Sequence, residues 1–430
     1  MKIAFVPQPL EMIFPPMQSA IGIWTYEIAH RLARSHDVIV YSGCLQRRVR
    51  FDDGVHYRRV SPVPDLWLRR LLERFSGFYD VRRPLFASSL YYWGYAWQVA
   101  NDLKKRQCDI VHVHNLSQFV PIIRAFNPDI KIVLHMHCEW LSQLDPTMIE
   151  RRLGQVDLVV GCSEYVAQKI RAAFPEIAAR CQVVHNGVDV NRFYSRNGSM
   201  ARKKNGARRL LFVGRISPEK GLHVLLEAFQ EVASRHPEVQ LEIVGPEARP
   251  PVEFIVALSD DPQVRGLEPF YKQSYLIQLQ KRLPASLLRR VTFSGPVPNA
   301  LLINRYCDAE MFIFPSVLNE PFGMPIVEAM ACQVPVVATR GGGITEIVKD
   351  GQTGLLVERG NARALADAIL FLLANEDLRE AMGKAARQRA LQRFSWEGIA
   401  EDLLGKYEAV LGNVPGFPGE AIHRAIGELK

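Results

Sequence analysis

The chain has 430 residues, 48% hydrophobic and 23% charged, which is ordinary globular composition and more than one hydrophobic core usually supports, so two domains are expected. No apolar run approaches the roughly 20 residues that span a bilayer, and the opening MKIAFVPQPLEMIF lacks a signal-peptide pattern, so a cytosolic protein is expected. Seven scattered cysteines with no C-x-x-C spacing argue against a disulfide framework or a zinc site, and the net charge of +8 favours an anionic partner.

Apolar runs alternate with helical patterns along the whole chain, as in βα units around a parallel sheet. The expected strands of a first domain (1–190) are KIAFV (2–6), DVIVYS (37–42), DIVHVH (109–114), IKIVLHMH (130–137), DLVVGCS (157–163) and QVVHNG (182–187), with a helix in IWTYEIAHRLARS after the first. Residues 191–208 read as a polar, basic linker: seven basic residues and no acid lie between Arg192 and Arg209. A second domain (209–394) repeats the grammar with RLLFVG, a helix from Gly221 to His236, QLEIVG, VTFSG, EMFIFPS, VPVVAT and GLLV. Residues 247–290 interrupt it as a partly helical insertion. A helix over Ser395–Leu411 closes the ordered chain, and NVPGFPGEAIHRAIGELK follows as a tail.

The stretch N-E-P-F-G-M-P-I-V-E-A-M sets Glu320 and Glu328 eight residues apart after a buried strand. Pro325 suits a helix start, which places Glu320 in a loop, Glu328 about one turn into the helix, and the amides around Phe322, Gly323 and Met324 at an anion-binding helix end. A hydrolytic carboxylate pair would instead face each other across a bond, about 5 to 10 Å apart. V-G-R-I-S-P-E-K-G (213–221) brings Gly214, Arg215 and Lys220 to another strand end, and R-G-G-G-I-T-E-I-V (340–348) forms a third glycine turn. Three such turns with two cations fit a diphosphate.

These motifs, with H-N-G-V-D before the linker and G-G-x-x-E-I-V after the glutamates, resemble the retaining glycosyltransferases of family 4. The resemblance covers the chain to about Leu411 and implies an α/β GT-B fold, two Rossmann-like domains facing each other across a cleft, the final helix crossing back to complete the first. It implies that Glu320 holds hydroxyls of the donor sugar and that the Phe322, Gly323 and Met324 amides hold its phosphate and sugar oxygens. Glu328 then takes the ribose, Arg215 and Lys220 neutralise the diphosphate, and Pro296 and Val297 hold the base. His114 becomes a cleft residue touching donor or acceptor, with His135, Ser163 and Glu164 further cleft positions. Retention by front-face attack, without a metal or other cofactor and without a protein nucleophile, follows from the same resemblance. Where the family carries Gly-Gly after the first strand, this chain has Ser19-Ala20-Ile21-Gly22, so its acceptor side is expected to differ in shape.

H-V-H (112, 114) and H-M-H (135, 137) each put two imidazoles on one strand face, so a transition metal is an alternative to structural and cleft histidines. Between Phe75 and Trp97 there are nine aromatics, preceded by L-W-L-R-R-L-L-E-R-F. The basic and aromatic region 65–97 reads either as a helix lying on an anionic membrane surface or as a wall of the acceptor cleft. The expected function is transfer of a hexosyl or N-acetylhexosaminyl group from a nucleotide-diphosphate sugar to a glycan, lipid-linked or small-molecule acceptor in polysaccharide biosynthesis. A sugar-nucleotide epimerase of the same fold and a nucleic-acid binder are the alternatives. The latter would want aromatics interleaved with basic residues on one surface, whereas the basic run lies at a domain hinge.

Overall fold

The computed structural model describes residues 1–43, 54–74, 79–194 and 208–412. Cys44, the Arg47-Arg48 pair, Phe75, Phe78, most of the 191–208 linker and the tail from residue 413 lie outside the described residues. The chain divides into two compact units, Met1–Asn186 with Trp396–Lys430, and Gly187–Ser395.

The first unit holds a seven-stranded sheet of β1 (Lys2–Val6), β2 (Asp37–Ser42), β3 (Val55–Arg59), β4 (Ile110–His114), β5 (Lys131–Met136), β6 (Leu158–Gly161) and β7 (Cys181–Val183), in the order β3-β2-β1-β4-β5-β6-β7. Every pairing is parallel. Parallel strands covered by helices on both faces are apolar without alternation, and Ile3, Ala4, Phe5 and Val6 are all wholly buried. Three helices matter below: α1 (Ala20–Leu32), α2 (Val63–Glu73) and α3 (Trp93–Arg106). The unit is completed from the far end of the chain, where the Trp396–Val410 helix brings Glu397 to 2.8 Å from Arg31 and the Tyr407 hydroxyl to 2.7 Å from His112 Nδ1.

The second unit holds six parallel strands, β8 (Arg208–Val213), β9 (Val239–Val244), β10 (Val291–Gly295), β11 (Met311–Phe314), β12 (Val336–Thr339) and β13 (Gly354–Val357), in the order β10-β9-β8-β11-β12-β13. Residues 187–194 belong with it: Val188 donates to the Phe394 carbonyl at 2.7 Å, and Arg387 donates to the Phe193 carbonyl at 3.0 Å. The insertion is a packed excursion of short helical pieces, Val252–Ile255, Pro262–Arg265, Glu268–Tyr271 and Tyr275–Arg282.

In both sheets the strand order reverses beside the first strand, between β1 and β4 and between β8 and β11. Loops leaving the carboxyl ends of those strands run in opposite directions and open a crevice there, the usual ligand position in open parallel sheets. The loops that follow β8 and β11 carry Arg215, Lys220 and Glu320.

Candidate functional site

In the second unit the loop after β8 turns through Pro218–Lys220, and the loop after β11 runs from Pro315 to the helix Met324–Ala331. Lys220 Nζ meets Glu320 Oε1 at 2.7 Å and Oε2 at 2.9 Å, and Ser316 Oγ donates to Oε1 at 2.6 Å. The Glu320 carboxylate is thus buried with three hydrogen bonds. Its carbonyl accepts from Gly343 N–H at 2.7 Å in the loop after β12, and Thr339 Oγ1 donates to the Ser316 carbonyl at 2.7 Å. Gly342 makes that close approach possible: φ is 57°, and an added Cβ would stand 2.2 Å from the Glu320 carbonyl oxygen.

Glu219, which the sequence motifs did not single out, is the other hub. Its wholly buried side chain accepts at Oε1 from Ser217 Oγ at 2.7 Å and from Arg215 Nη2 at 3.1 Å, and at Oε2 from the Tyr271 hydroxyl at 3.4 Å. Its backbone carbonyl accepts from Val317 N–H at 2.9 Å. The insertion therefore braces the loop that presents Arg215 and Lys220. A second brace runs from Asp261 to Arg359 at 2.6 Å, and Arg359 also donates to the Val317 carbonyl at 2.8 Å. Arg215 itself is exposed on the side away from Glu219.

The Met324–Ala331 helix begins at Gly323, with Pro325 in its first turn and no side-chain cap. Its positive dipole end therefore faces the same crevice, with Phe322 and Met324 buried on either side of Gly323. Inside the helix, Glu328 is buried and accepts from the Tyr306 hydroxyl at 2.7 Å. Burial pushes its carboxyl up to about 7, against the smaller opposing effects of Tyr306 and Arg192. Gly214 follows β8, and Pro296, exposed, and Val297, half-buried, follow the edge strand β10. The structure thus gathers Gly214, Arg215, Lys220, Pro296, Val297, Glu320, Phe322, Gly323, Met324 and Glu328 on the carboxyl edge of one sheet.

The first-unit residues behave differently. Ser19 is the N-cap of α1, accepting from Gly22 N–H at 3.0 Å, and Ala20 is its first, exposed residue. Gly22 lies so close to the preceding loop that a Cβ would stand 1.9 Å from the Met12 carbonyl oxygen. These residues close the loop onto α1. Ser163 is wholly buried and caps the Glu164–Ala173 helix through Val166 N–H at 3.2 Å, while Glu164 pairs with Arg171 at 2.7 Å. Ser163 is thus a helix cap, and Glu164 stands in the first turn of that helix beside its ion-pair partner.

The histidines lie deeper. His114 and His135 are wholly buried around Trp24. The partly exposed member is His137, one residue past the end of β5, where its Nε2 shares a hydrogen bond with His114 Nδ1 at 2.9 Å. Strand alternation had placed all four on common faces but could not show which stood at the rim. Burial depresses all four imidazoles, His137 to about 3. The nitrogens of His112, His114 and His135 lie within 4.8 Å of one another. Yet both nitrogens of His112 are engaged, by Tyr407 and by His135 Nδ1 at 3.1 Å, so a metal would have to break that chain of hydrogen bonds.

Two family models match in succession, Glycosyltransferase Family 4 over residues 21–192 and Glycosyl transferases group 1 over residues 199–389. The D-inositol 3-phosphate glycosyltransferase of Kribbella flavida is 32% identical over 317 residues, covering 70% of each chain. The chain belongs to glycosyltransferase family 4. This family 4 glycosyltransferase is also 27% identical over 424 residues to spore coat protein SA of Bacillus subtilis, covering 95% of the chain and 99% of that protein. Among solved structures, HepE of Anabaena in complex with UDP-glucose superposes with a TM-score of 0.68 at 22% identity, over 95% of this chain and all of that one, in agreement with the GT-B architecture of two Rossmann-like domains.

Proposed function

We propose that the enzyme moves a hexosyl or N-acetylhexosaminyl group from a nucleoside diphosphate sugar to a hydroxyl acceptor, with retention of anomeric configuration and without a metal. The observation that carries this reading is the Lys220 and Glu320 contact at the mouth of an uncapped helix, with Glu328 one turn further in. A cation, a carboxylate, a dipole end and a second carboxylate in that order match a diphosphate flanked by sugar hydroxyls on one side and ribose hydroxyls on the other.

Cleavage of the anomeric C–O bond leaves an oxocarbenium-like sugar and returns the electron pair to the diphosphate. Lys220, Arg215 and the amides from Phe322 to Met324 stabilise that charge where it grows. The departing phosphate oxygen takes the acceptor hydroxyl proton as the acceptor oxygen bonds the same face of the sugar, so no protein nucleophile is used. Glu320 holds sugar hydroxyls, Glu328 the ribose, and Pro296 and Val297 flank the base.

The test is calorimetric titration with UDP-, GDP-, ADP- and dTDP-sugars, the UDP-sugars first because HepE binds UDP-glucose. One class is expected to bind in the presence of chelator, and Glu320→Ala to abolish transfer. Loss of activity on chelation, or a fully active Glu320→Ala, refutes the reading.

A further inference from the structure

Helix α2 buries a carboxylate while part of its apolar surface is exposed. The one α2 residue that is fully buried is Asp65, 3% exposed, and its carboxylate accepts from Gly94 N–H at 2.7 Å and Tyr95 N–H at 2.9 Å, at the start of α3. A charge taken inside is tolerated because it caps those orphan amides and the positive end of α3. The cost is that the helix is pinned with its apolar stripe outward. Val63, Trp67 and Leu71, four residues apart in turn, all face solvent, Trp67 at 67% exposure.

Neighbouring α3 carries exposed tryptophans as well. Trp93 and Trp97, also four apart, are exposed and stacked with ring centroids 6.4 Å apart. Cations border this apolar strip. Arg70 and Arg74 are exposed beside Trp67 and Leu71, with the Arg70 guanidinium 5.7 Å from the Trp67 ring centroid, and Lys104 and Lys105 are exposed where α3 ends. The nearby acid Glu73 is paired with Arg69 at 3.0 Å.

We propose that this face, the outer stripes of α2 and α3, docks on an anionic lipid surface. Three tryptophans with an aliphatic pair sit at the boundary between headgroups and acyl chains, where an amphipathic ring is most favourable, and the arginines and lysines meet lipid phosphate. A protein partner of neutral surface would leave these cations unmatched. The proposal does not rest on the sugar-transfer reading, because the surface uses none of the residues assigned to donor binding.

The test is co-sedimentation of the full chain with vesicles of phosphatidylcholine alone and of phosphatidylcholine mixed with phosphatidylglycerol, with no sugar nucleotide present. Binding is expected on the mixed vesicles, at least about tenfold weaker on the neutral ones and weakened by salt. Trp67→Ser combined with Leu71→Ser leaves the charge unchanged and should lower binding at least about tenfold. Both side chains are exposed, so the melting temperature should stay at the wild-type value. If the double variant binds as well as the wild type, only diffuse basic charge is at work and the proposal falls. It falls equally if neither vesicle takes up the protein, or if the wild type instead self-associates in a manner that the double variant abolishes, which would give the face to a second copy.

Discussion

Lys220 donates to both carboxylate oxygens of Glu320, at 2.7 and 2.9 Å, across the point where the second sheet reverses its strand order. The lysine side chain is 14% exposed and the glutamate 6%, so each charge depends on the other. Removing one partner of such a pair strands the other in a poorly solvated site. Glu320→Ala should therefore lower stability by about 3 kcal/mol as well as reduce transfer by at least about a hundredfold. Lys220→Met with Glu320→Leu should recover much of the stability and none of the activity. Denaturant melts and a transfer assay on the wild type, Glu320→Ala and the double variant separate the two effects.

Arg215 offers the converse. Its guanidinium is half exposed, and Glu219 keeps Ser217 and Tyr271 when the arginine is lost. The glutamate side of this pair is wholly buried but keeps two hydrogen bonds without the arginine, so Arg215→Ala should cost about 1 to 3 kcal/mol of stability. In the proposed mechanism the arginine faces the growing negative charge, so donor affinity or turnover should fall by about tenfold or more. A variant that melts early but transfers normally would assign Arg215 to the fold instead.

Glu328 predicts a pH dependence of known sign. Burial raises its carboxyl from 4.5 to about 7, so the folded chain holds a proton that the unfolded chain has released. Its contribution is most favourable below 4.5 and is lost as pH rises through 7, reaching a deficit of about 3 kcal/mol in alkaline solution. Glu328→Gln should therefore stabilise the protein at pH values above about 8 and have little effect near pH 4. If Glu328 holds the ribose as proposed, the same substitution should weaken donor binding about tenfold, since a carboxamide is a poorer acceptor for hydroxyls.

The histidines of the first unit act in the opposite direction. His112, His114, His135 and His137 are held below their ordinary value by burial, so the unfolded chain takes up protons near pH 6.5 that the folded one refuses. Their contribution is present above that point and lost on acidification, at up to about 1.4 kcal/mol per histidine per pH unit. Chemical denaturation at pH 7, 6 and 5 should show the fall, and His114→Asn should make it shallower by about one proton's worth. A stability that is flat over this range would contradict the burial of these rings.

The strands of both sheets could be read from sequence because buried parallel strands are nearly continuous apolar runs. The exception, β3, reads V-H-Y-R-R, and only Val55 of it is buried, so it carries no such signal. The E-x7-E stretch was equally legible, since a strand end, a glycine and a proline fix local geometry within a few residues. Glu219 was not, because its importance comes from Tyr271, fifty-two positions away, and from the backbone of the β11 loop. Nor could the alternation of H-V-H and H-M-H tell that His137 stands at the rim while His114 lies beneath it, because period two gives the face and not the depth. The outward stripe of α2 was hidden for a related reason: which face a helix buries was decided by one carboxylate and two amides of α3.

The Tyr407 hydroxyl on His112 and Glu397 on Arg31 also order events in time. A ribosome that has finished residues 1–186 must still make the whole of the second unit before these contacts can form. At ordinary translation speeds that interval is on the order of 10 to 40 s. For that period the outer surface of α1 stands uncovered and His112 lacks its hydroxyl partner. The nascent first half is therefore the state most in need of a chaperone, and truncations that end before the terminal helix should be sticky even when every strand of their sheet is present.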